Sequence, residues 1–471
     1  MTEPIPSSTN HRIATREARA ERGASARRTT PLAALAEHDA ARRRDPLGLL
    51  DWQAESRIAE LIPVRHGRMS RSAFAFYRGA ALIMADDLSH TPATGLSTQL
   101  CGDAHLSNFG IFASPERRLA FDINDFDETY PGPFEWDVKR LVTSLGIAAR
   151  ENDFSGKQRL RVIQACASEY RTTMRHQAEQ STMAVWYSRF DPTAELSELR
   201  DELDTSTRER VRKAVAKSRS RDSNQALAKL TTRVDGRPRI ISDPPLIMPI
   251  EEVFADADAD DLYRELRRRL SDYRATLQDN RRALLDQFEF VQAARKVVGV
   301  GSVGTRAWIV LLLGVDGDPL ILQAKEAQPS VLARYLTGPT FANQGERVVQ
   351  GQRLMQAVSD ILLGWQKGPD IDGETRDFYI RQLRDGKGSA VIETMRPKAM
   401  RLYGRLCGRV LAYAHARGGD RIAIASYLGT TDEFDHAVAE YAETYAEQTA
   451  RDHAELLQAI RRGRLAAETE S

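Results

Sequence analysis

The chain of 471 residues carries 67 Lys and Arg against 66 Asp and Glu, for a formal net charge of +1, and is 42% hydrophobic and 28% charged. That composition predicts a folded, soluble protein of two or three domains with a large core. It excludes a generally basic nucleic-acid coat, gives no reason to expect a membrane surface, and holds no run near the roughly eighteen apolar residues of a membrane span.

Residues 1–30 are polar, with six Arg and three Glu. They predict a disordered arm without the apolar stretch of a secretory signal; a mitochondrial presequence is the alternative, which the three acids argue against. Residues 31–90 predict helices, with Leu50, Ile58, Leu61 and Ile62 on one face. From Leu96 to Asp137 short apolar runs alternate with turn residues: Leu96–Leu100, Phe109–Phe112 and Leu119–Ile123, the last two joined by a hairpin turn at 113–117. Helices resume over Trp136–Arg150 and continue to about Lys217. Leu230–Val234 and Arg237–Ile241 flank Asp235-Gly236, the signature of a type I′ hairpin. A charged helix is expected over Glu251–Ala294, then strands at Lys296–Val300, Arg306–Val315 and Leu320–Lys325. A helix near Gln344–Ser359 and strands Ile361–Gln366 and Phe378–Leu383 follow, and the chain is helical from Lys398 onward. The cysteines, Cys101, Cys166 and Cys407, have neither metal-ligand nor disulfide spacing, which fits a reducing cytosol. No internal repeat is present.

Two segments carry chemistry. Gly102-Asp103-Ala104-His105-Leu106-Ser107-Asn108 follows an apolar strand, and Asn124-Asp125-Phe126-Asp127 ends another. Two acids and an amide at strand ends are what phosphoryl transfer to a hydroxyl requires: one carboxylate to accept the proton, and an amide and a carboxylate as hard oxygen ligands to Mg²⁺. Either acid alone would fit an ordinary turn. The second segment, Gly299-Val300-Gly301-Ser302-Val303-Gly304, fits both a dinucleotide turn and a kinase-type phosphate loop. Its flanks decide. It runs into Arg306-Ala307-Trp308-Ile309-Val310, which is β in character, where a dinucleotide fingerprint requires a helix. Lys325 ends a later strand and can reach phosphates. Glu346, early in the next helix, could orient Lys325 through an ion pair, though it also suits a surface helix, and Arg347 and Glu326 compete with it.

The spacing Gly-Asp-x-His-x-x-Asn, a hairpin, then Asp-Phe-Asp at 102–127 resembles the catalytic core of the aminoglycoside-phosphotransferase branch of protein-kinase-like enzymes. The stretch from Pro131 to Val138 resembles the start of that branch's buried helix. The resemblance implies that Asp103 is the catalytic base, that Asn108 and Asp125 bind metal, and that Asp137 braces the catalytic loop. It implies a supporting role for His105 and places an adenine hinge at Phe378–Leu383 and the following 384–388. Asp127 is either a second metal ligand or a helix-capping acid. Arg78, in Phe74-Ala75-Phe76-Tyr77-Arg78-Gly79, either reaches a phosphate or acidic substrate or pairs with an interior carboxylate such as Asp137. The implied cofactors are ATP and Mg²⁺, with Gly299, Gly301, Ser302, Gly304 and Lys325 on the nucleotide.

The order of parts departs from the family, since the catalytic loop precedes the glycine loop. An α+β, kinase-like two-lobed fold in circular permutation, with extra helices at both ends, is the expectation. It divides the chain into an arm at 1–30, a large lobe at 31–225, a β-rich nucleotide lobe at 226–395, and helices at 396–471 that return to the large lobe. The chain as a whole also resembles a large bacterial family of unknown function. The expected activity is phosphotransfer to a hydroxyl of an unknown substrate. Nucleotidyl transfer and an inactive nucleotide-binding scaffold are the alternatives. A two-metal phosphoesterase, suggested by Gly102-Asp103-Ala104-His105, needs further ligands that nine dispersed histidines do not supply.

Overall fold

The protein is described by a computed structural model covering residues 14–39, 45–193, 209, 216, 223–255, 258–297, 299–369, 373–383 and 388–468. Most of the helical stretch expected between 194 and 217, and 384–387 of the expected hinge, therefore lie outside the described residues.

The amino-terminal part is helical: α1 (Arg16–Thr29), α2 (Pro46–Ala54), α3 (Ile62–Met69), α4 (Ala73–Arg78) and α5 (Ala81–Ser89). Short polar side chains start several of them, with Thr15, Asp45 and Ser72 each accepting a first-turn N–H. Strand β1 (Ser97–Leu100) pairs antiparallel with β4 (Tyr130–Pro133), and between them β2 (Phe109–Ala113) and β3 (Leu119–Ile123) form the expected hairpin. Helices α6 (Phe134–Glu151), α7 (Gly156–Glu179) and α8 (Thr182–Tyr187) follow. A capping box at Ser155 and Gln158 fixes the start of α7.

The second half opens with α9 (Ser223–Leu230) and the hairpin β5 (Thr231–Val234) and β6 (Arg237–Ile240). Asp235 and Gly236 have φ of 49° and 77°, the pair of positive values a type I′ turn requires. Strand β7 (Ile247–Pro249), helices α10 (Ile250–Val253), α11 (Ala259–Ala275) and α12 (Asp279–Leu285), then strands β8 (Phe288–Lys296), β9 (Ala307–Gly314) and β10 (Pro319–Glu326) come next. Helix α13 (Gln344–Met355) precedes β11 (Gly364–Pro369) and β12 (Thr375–Gln382). Six strands form one antiparallel sheet in the order β11-β12-β10-β9-β8-β7. Alternation along β9 sends Trp308, Val310 and Leu312 to a core shared with Tyr273 and Leu277 of α11 and its end. Ile309 and Leu311 face a second core with Leu230 and Ile240. Cover on both faces is why β9 reads as an unbroken apolar run.

The chain closes with α14 (Pro397–Gly418), α15 (Arg421–Leu428) and α16 (Glu433–Arg461). These pack on α6 and α7 in the largest core, whose members run from Leu32 to Ala459. The end of α14 abuts β1: Thr98 donates from Oγ1 to the His415 carbonyl at 3.1 Å, and a Cβ on Gly419 would lie 2.7 Å from Thr98 Cβ. No helix among the described residues is long and apolar enough to cross a membrane.

Two expectations are corrected. Within the arm expected at 1–30, Arg16–Thr29 is a helix seated on α15, while 1–13 lie outside the described residues. The helix expected over Glu251–Ala294 breaks into α10, α11 and α12, and Phe288–Ala294 is strand β8. A register shift between Phe290 and Gln292 interrupts the alternation that would have marked this strand.

Candidate functional site

The chain leaves β1 through Gly102, whose φ is 84° and whose added Cβ would sit 2.2 Å from the Glu128 carbonyl oxygen, so no side chain fits. The buried Asp137 carboxylate, at the start of α6, accepts the N–H of Cys101 at 2.8 Å and of Gly102 at 3.0 Å. On its other side Asp137 Oδ2 lies 3.2 Å from His415 Nε2, and His415 Nδ1 meets the Tyr170 hydroxyl at 2.9 Å. Asp137 thus anchors the backbone immediately before Asp103. Asp137→Ala leaves the buried Cys101 N–H and the half-buried Gly102 N–H without an acceptor and is expected to cost about 2–4 kcal/mol of stability, read as a fall in urea midpoint at unchanged m.

Asp103 is held by Arg140, whose Nε donates to Oδ1 at 2.8 Å and whose Nη2 lies 2.7 Å from the same atom. Burial pushes the Asp103 carboxyl up to about 6, against the opposing pull of Arg140. His105 Nε2 lies 3.6 Å from Asp103 Oδ2, and burial holds its imidazole well below its ordinary pKa, hence neutral. Asn108 donates from Nδ2 to the Asp103 carbonyl at 2.7 Å, which orients its amide oxygen away from that bond.

The second acidic segment meets Lys325. Register places Lys325 opposite Tyr379 and Gln323 opposite Arg381 on one face of the sheet. Lys325 Nζ lies 2.5 Å from Asp127 Oδ2 and 3.7 Å from Asp125 Oδ2. The Tyr379 hydroxyl donates to Asp127 Oδ1 at 2.6 Å, and the Ser302 hydroxyl to Asp127 Oδ2 at 3.3 Å. Burial raises the Asp127 carboxyl, but Lys325, the Tyr379 hydroxyl and the nearby Arg381 outweigh it and hold Asp127 down at about 2. Asp127 caps no helix, since the residue before α6 is Pro133; it is the counter-ion of Lys325.

Glu346 is not the partner of Lys325. It sits in the first turn of α13, its N–H bonded to the Asn343 side chain, where an acid complements the helix dipole. The next residue turns inward: Arg347 is 1% exposed and donates to the carbonyls of Asp127, Thr129 and Gln328 at 2.6–2.8 Å. Position 347, not 346, ties α13 to the acidic loop.

The glycine turn lies between antiparallel β8 and β9, as its flanks predict. Gly299 and Gly304 have φ of 68° and 89°. A Cβ on Gly301 would lie 3.0 Å from the Arg78 carbonyl. The turn is pinned from outside by residues that no motif marks. The Arg57 guanidinium donates to the Val303 carbonyl, the Ile58 N–H to the Gly304 carbonyl at 2.8 Å, and the Arg68 guanidinium to the Gly299 carbonyl. Glu128 was equally unmarked, although it directly follows the Asp-Phe-Asp triplet. It accepts the Val331 N–H at 2.7 Å, and burial pushes its carboxyl up to about 7.

These elements enclose a cleft of about 670 Å³, lined by Asp103, His105, Asn108, Asp125, Asp127 and Glu128 on one side and by Gly299, Gly301 and Ser302 on the other, with Arg57 and Arg78 also in its wall. Lys325, 3% exposed, stands behind Asp127. Gly304 shapes the turn from beside Arg57, and Asp137 supports the loop from beneath. Arg78 does not pair with Asp137, whose ring partner is His415. Among the described residues no group of three or more His, Cys, Asp and Glu side chains could hold a metal ion by itself. The amide oxygen of Asn108 and the Asp125 carboxylate, 31% exposed, are instead a two-residue set of hard oxygens. Such a set fits Mg²⁺, which takes one or two protein oxygens and completes its shell with water and phosphate.

A family model described as an uncharacterized protein conserved in bacteria (DUF2252) matches residues 57–459. The curated proteins and the solved structures give no match.

Proposed function

This chain belongs to the bacterial DUF2252 family, and we propose that it is an ATP- and Mg²⁺-dependent phosphotransferase acting on a hydroxyl, with a kinase-like two-lobed architecture in circularly permuted order. The observation that carries the reading is the single cleft in which the 103–127 carboxylates meet the 299–304 glycine turn, from opposite parts of the chain. The order of the small-lobe parts supports it: glycine turn between the first two strands of a meander, lysine in the third, then a helix. The junction of α14 with β1 supports the permutation, because the helix that would lead into the catalytic loop ends beside the strand that does so. The three cysteines are buried and free, in keeping with a cytoplasmic location.

In this reading Asp103 takes the proton of the acceptor hydroxyl. The oxygen forms a bond to the γ-phosphorus as the bond from that phosphorus to the β–γ bridging oxygen breaks, and ADP leaves with the electron pair. Arg140 and the Asp137 brace fix the carboxylate in place. Mg²⁺, held by Asn108 and Asp125, would neutralise charge on the phosphates. The N–H groups of the glycine turn would cover the phosphates, with Lys325 behind them.

ATP with Mg²⁺ should raise the melting temperature of the full chain by mass action, and EDTA should remove most of the rise. An equal rise with NAD, or none with Mg·ATP, sinks the reading. Product analysis separates the chemistries, since ADP marks phosphoryl transfer whereas AMP on the acceptor with pyrophosphate marks nucleotidyl transfer. A base near 6 also sets a pH profile: turnover should rise about tenfold per unit below pH 6 and level off above it.

A further inference from the structure

We propose that Arg78 is a catalytic residue of this cleft, binding the phosphoryl group as it passes from nucleotide to acceptor; the inference rests on the phosphotransferase reading. Its place is rigidly built. Ser72 caps α4, and Phe74, Phe76 and Tyr77 anchor the helix in the main core. The Tyr77 hydroxyl donates to the Arg140 carbonyl at 2.9 Å, and Arg140 Nη2 donates to the Tyr77 carbonyl at 2.7 Å. The Arg140 guanidinium also stacks 3.9 Å over the Tyr77 ring. The helix end that carries Arg78 is thereby fixed to the arginine that holds Asp103. On its other side the Arg78 backbone meets Gly301. The residue stands between the glycine turn and the base, the path a transferred phosphoryl group takes.

Among the described residues its head makes no hydrogen bond or ion pair. Arg78 lines the cleft, its Nε is buried without a hydrogen bond, and no described residue forms an ion pair with its guanidinium. The neighbouring arginines are committed: Arg57 to Val303, Arg68 to Gly299, Arg140 to Asp103, Arg347 to three carbonyls and Arg381 to Asn124. Asp103 attracts Arg78 electrostatically but forms no ion pair with it, and its Oδ1 is held by Arg140. Burial disfavours the charge, and Asp103 and Glu393 offset this without touching it, so an anion bound in direct contact would satisfy the guanidinium. Its planar fork matches the equatorial oxygens of a phosphoryl group, whose charge is shared among those oxygens during transfer. Proton and leaving group travel as above: Asp103 receives the hydroxyl proton, ADP leaves with the bridging electron pair, and Arg78 contributes only hydrogen bonds.

The test uses the full chain, with Arg78→Gln and Arg78→Lys. The probes are MgADP alone and MgADP with aluminium fluoride, which mimics the group in flight, read by calorimetry and melting temperature. The parent should bind MgADP more tightly when aluminium fluoride is present. Arg78→Gln should bind MgADP within about twofold of the parent and lose that gain, and its ATP turnover should fall about 10²–10³-fold. Arg78→Lys should keep part of the gain, as a point charge without the fork. The unliganded melting temperature of Arg78→Gln should stay close to the parent's, because no hydrogen bond or ion pair to a described residue is lost. Retention of the full gain by Arg78→Gln overturns the inference alone, as does a lower melting temperature with the gain intact. A parent that does not bind MgADP overturns the phosphotransferase reading and the inference with it.

Discussion

Asp103→Asn is expected to bind Mg·ATP like the parent and to turn it over about 10²–10⁴-fold more slowly, the usual contribution of a positioned base. The substitution preserves volume and keeps an oxygen for Arg140, so the loop should hold its shape. The lost group is the one whose burial sets it near 6, in the range where a carboxylate takes a proton and still ionises at neutral pH. The rising limb of the pH profile should disappear with it. Asp125→Asn should behave differently. Its carboxylate faces the cleft beside Asn108 and carries no backbone support for the loop beyond the Asp127 N–H, so turnover and Mg·ATP affinity should fall together. Hydrolysis of ATP to water serves as the assay, since it requires no knowledge of the acceptor. Parent-like binding and turnover in both variants would make the 101–127 segment structural.

What the sequence made legible here is local. Gly102, Asp103 and Asn108 are spaced by the geometry of one turn, and the glycine turn is flanked by strands whose apolar runs declare themselves. The role of Asp137 was legible only through resemblance, and the structure gives it a physical basis in the two N–H groups it accepts. The misreadings share a cause, which is that tertiary contact overrode the local pattern. Helix α1 shows no apolar stripe because its interface is made of small residues: Gly23 lies against the Ala423 backbone and Ala26 against the main core. Polar composition alone cannot distinguish that from a disordered arm. Glu346 has the better charge for Lys325, but one residue on a helix is a rotation of about 100°, and it is Arg347 that faces inward. Arg57 and Arg68 hold a turn more than two hundred residues away, a contact no local spacing encodes.

Lys325→Met is expected to abolish turnover and to destabilise the fold by about 3 kcal/mol, the low end for breaking a buried pair because Asp127 keeps 28% exposure. Lys325 is the cation nearest to Asp127 and Asp125, at 2.5 and 3.7 Å. Without it two carboxylates share the site with only the Tyr379 and Ser302 hydroxyls as donors to Asp127. Asp127 then loses the cation that lowers its pKa, and burial should push its carboxyl up. The sign of the pH effect follows from Asp127, whose carboxyl is held at about 2, below its ordinary value of 3.8. Its pairing stabilises the folded state above about pH 4 and is lost as pH falls from there toward 2. Urea midpoints across that range should slope downward in the parent and flatten in Lys325→Met. Adding Asp127→Asn to Lys325→Met removes the uncompensated charge and should recover most of the stability without recovering turnover. Recovery of both would mean that the lysine acts only as a counter-ion and that nothing in the cleft depends on its charge; an additive loss of stability would mean that the two side chains do not interact.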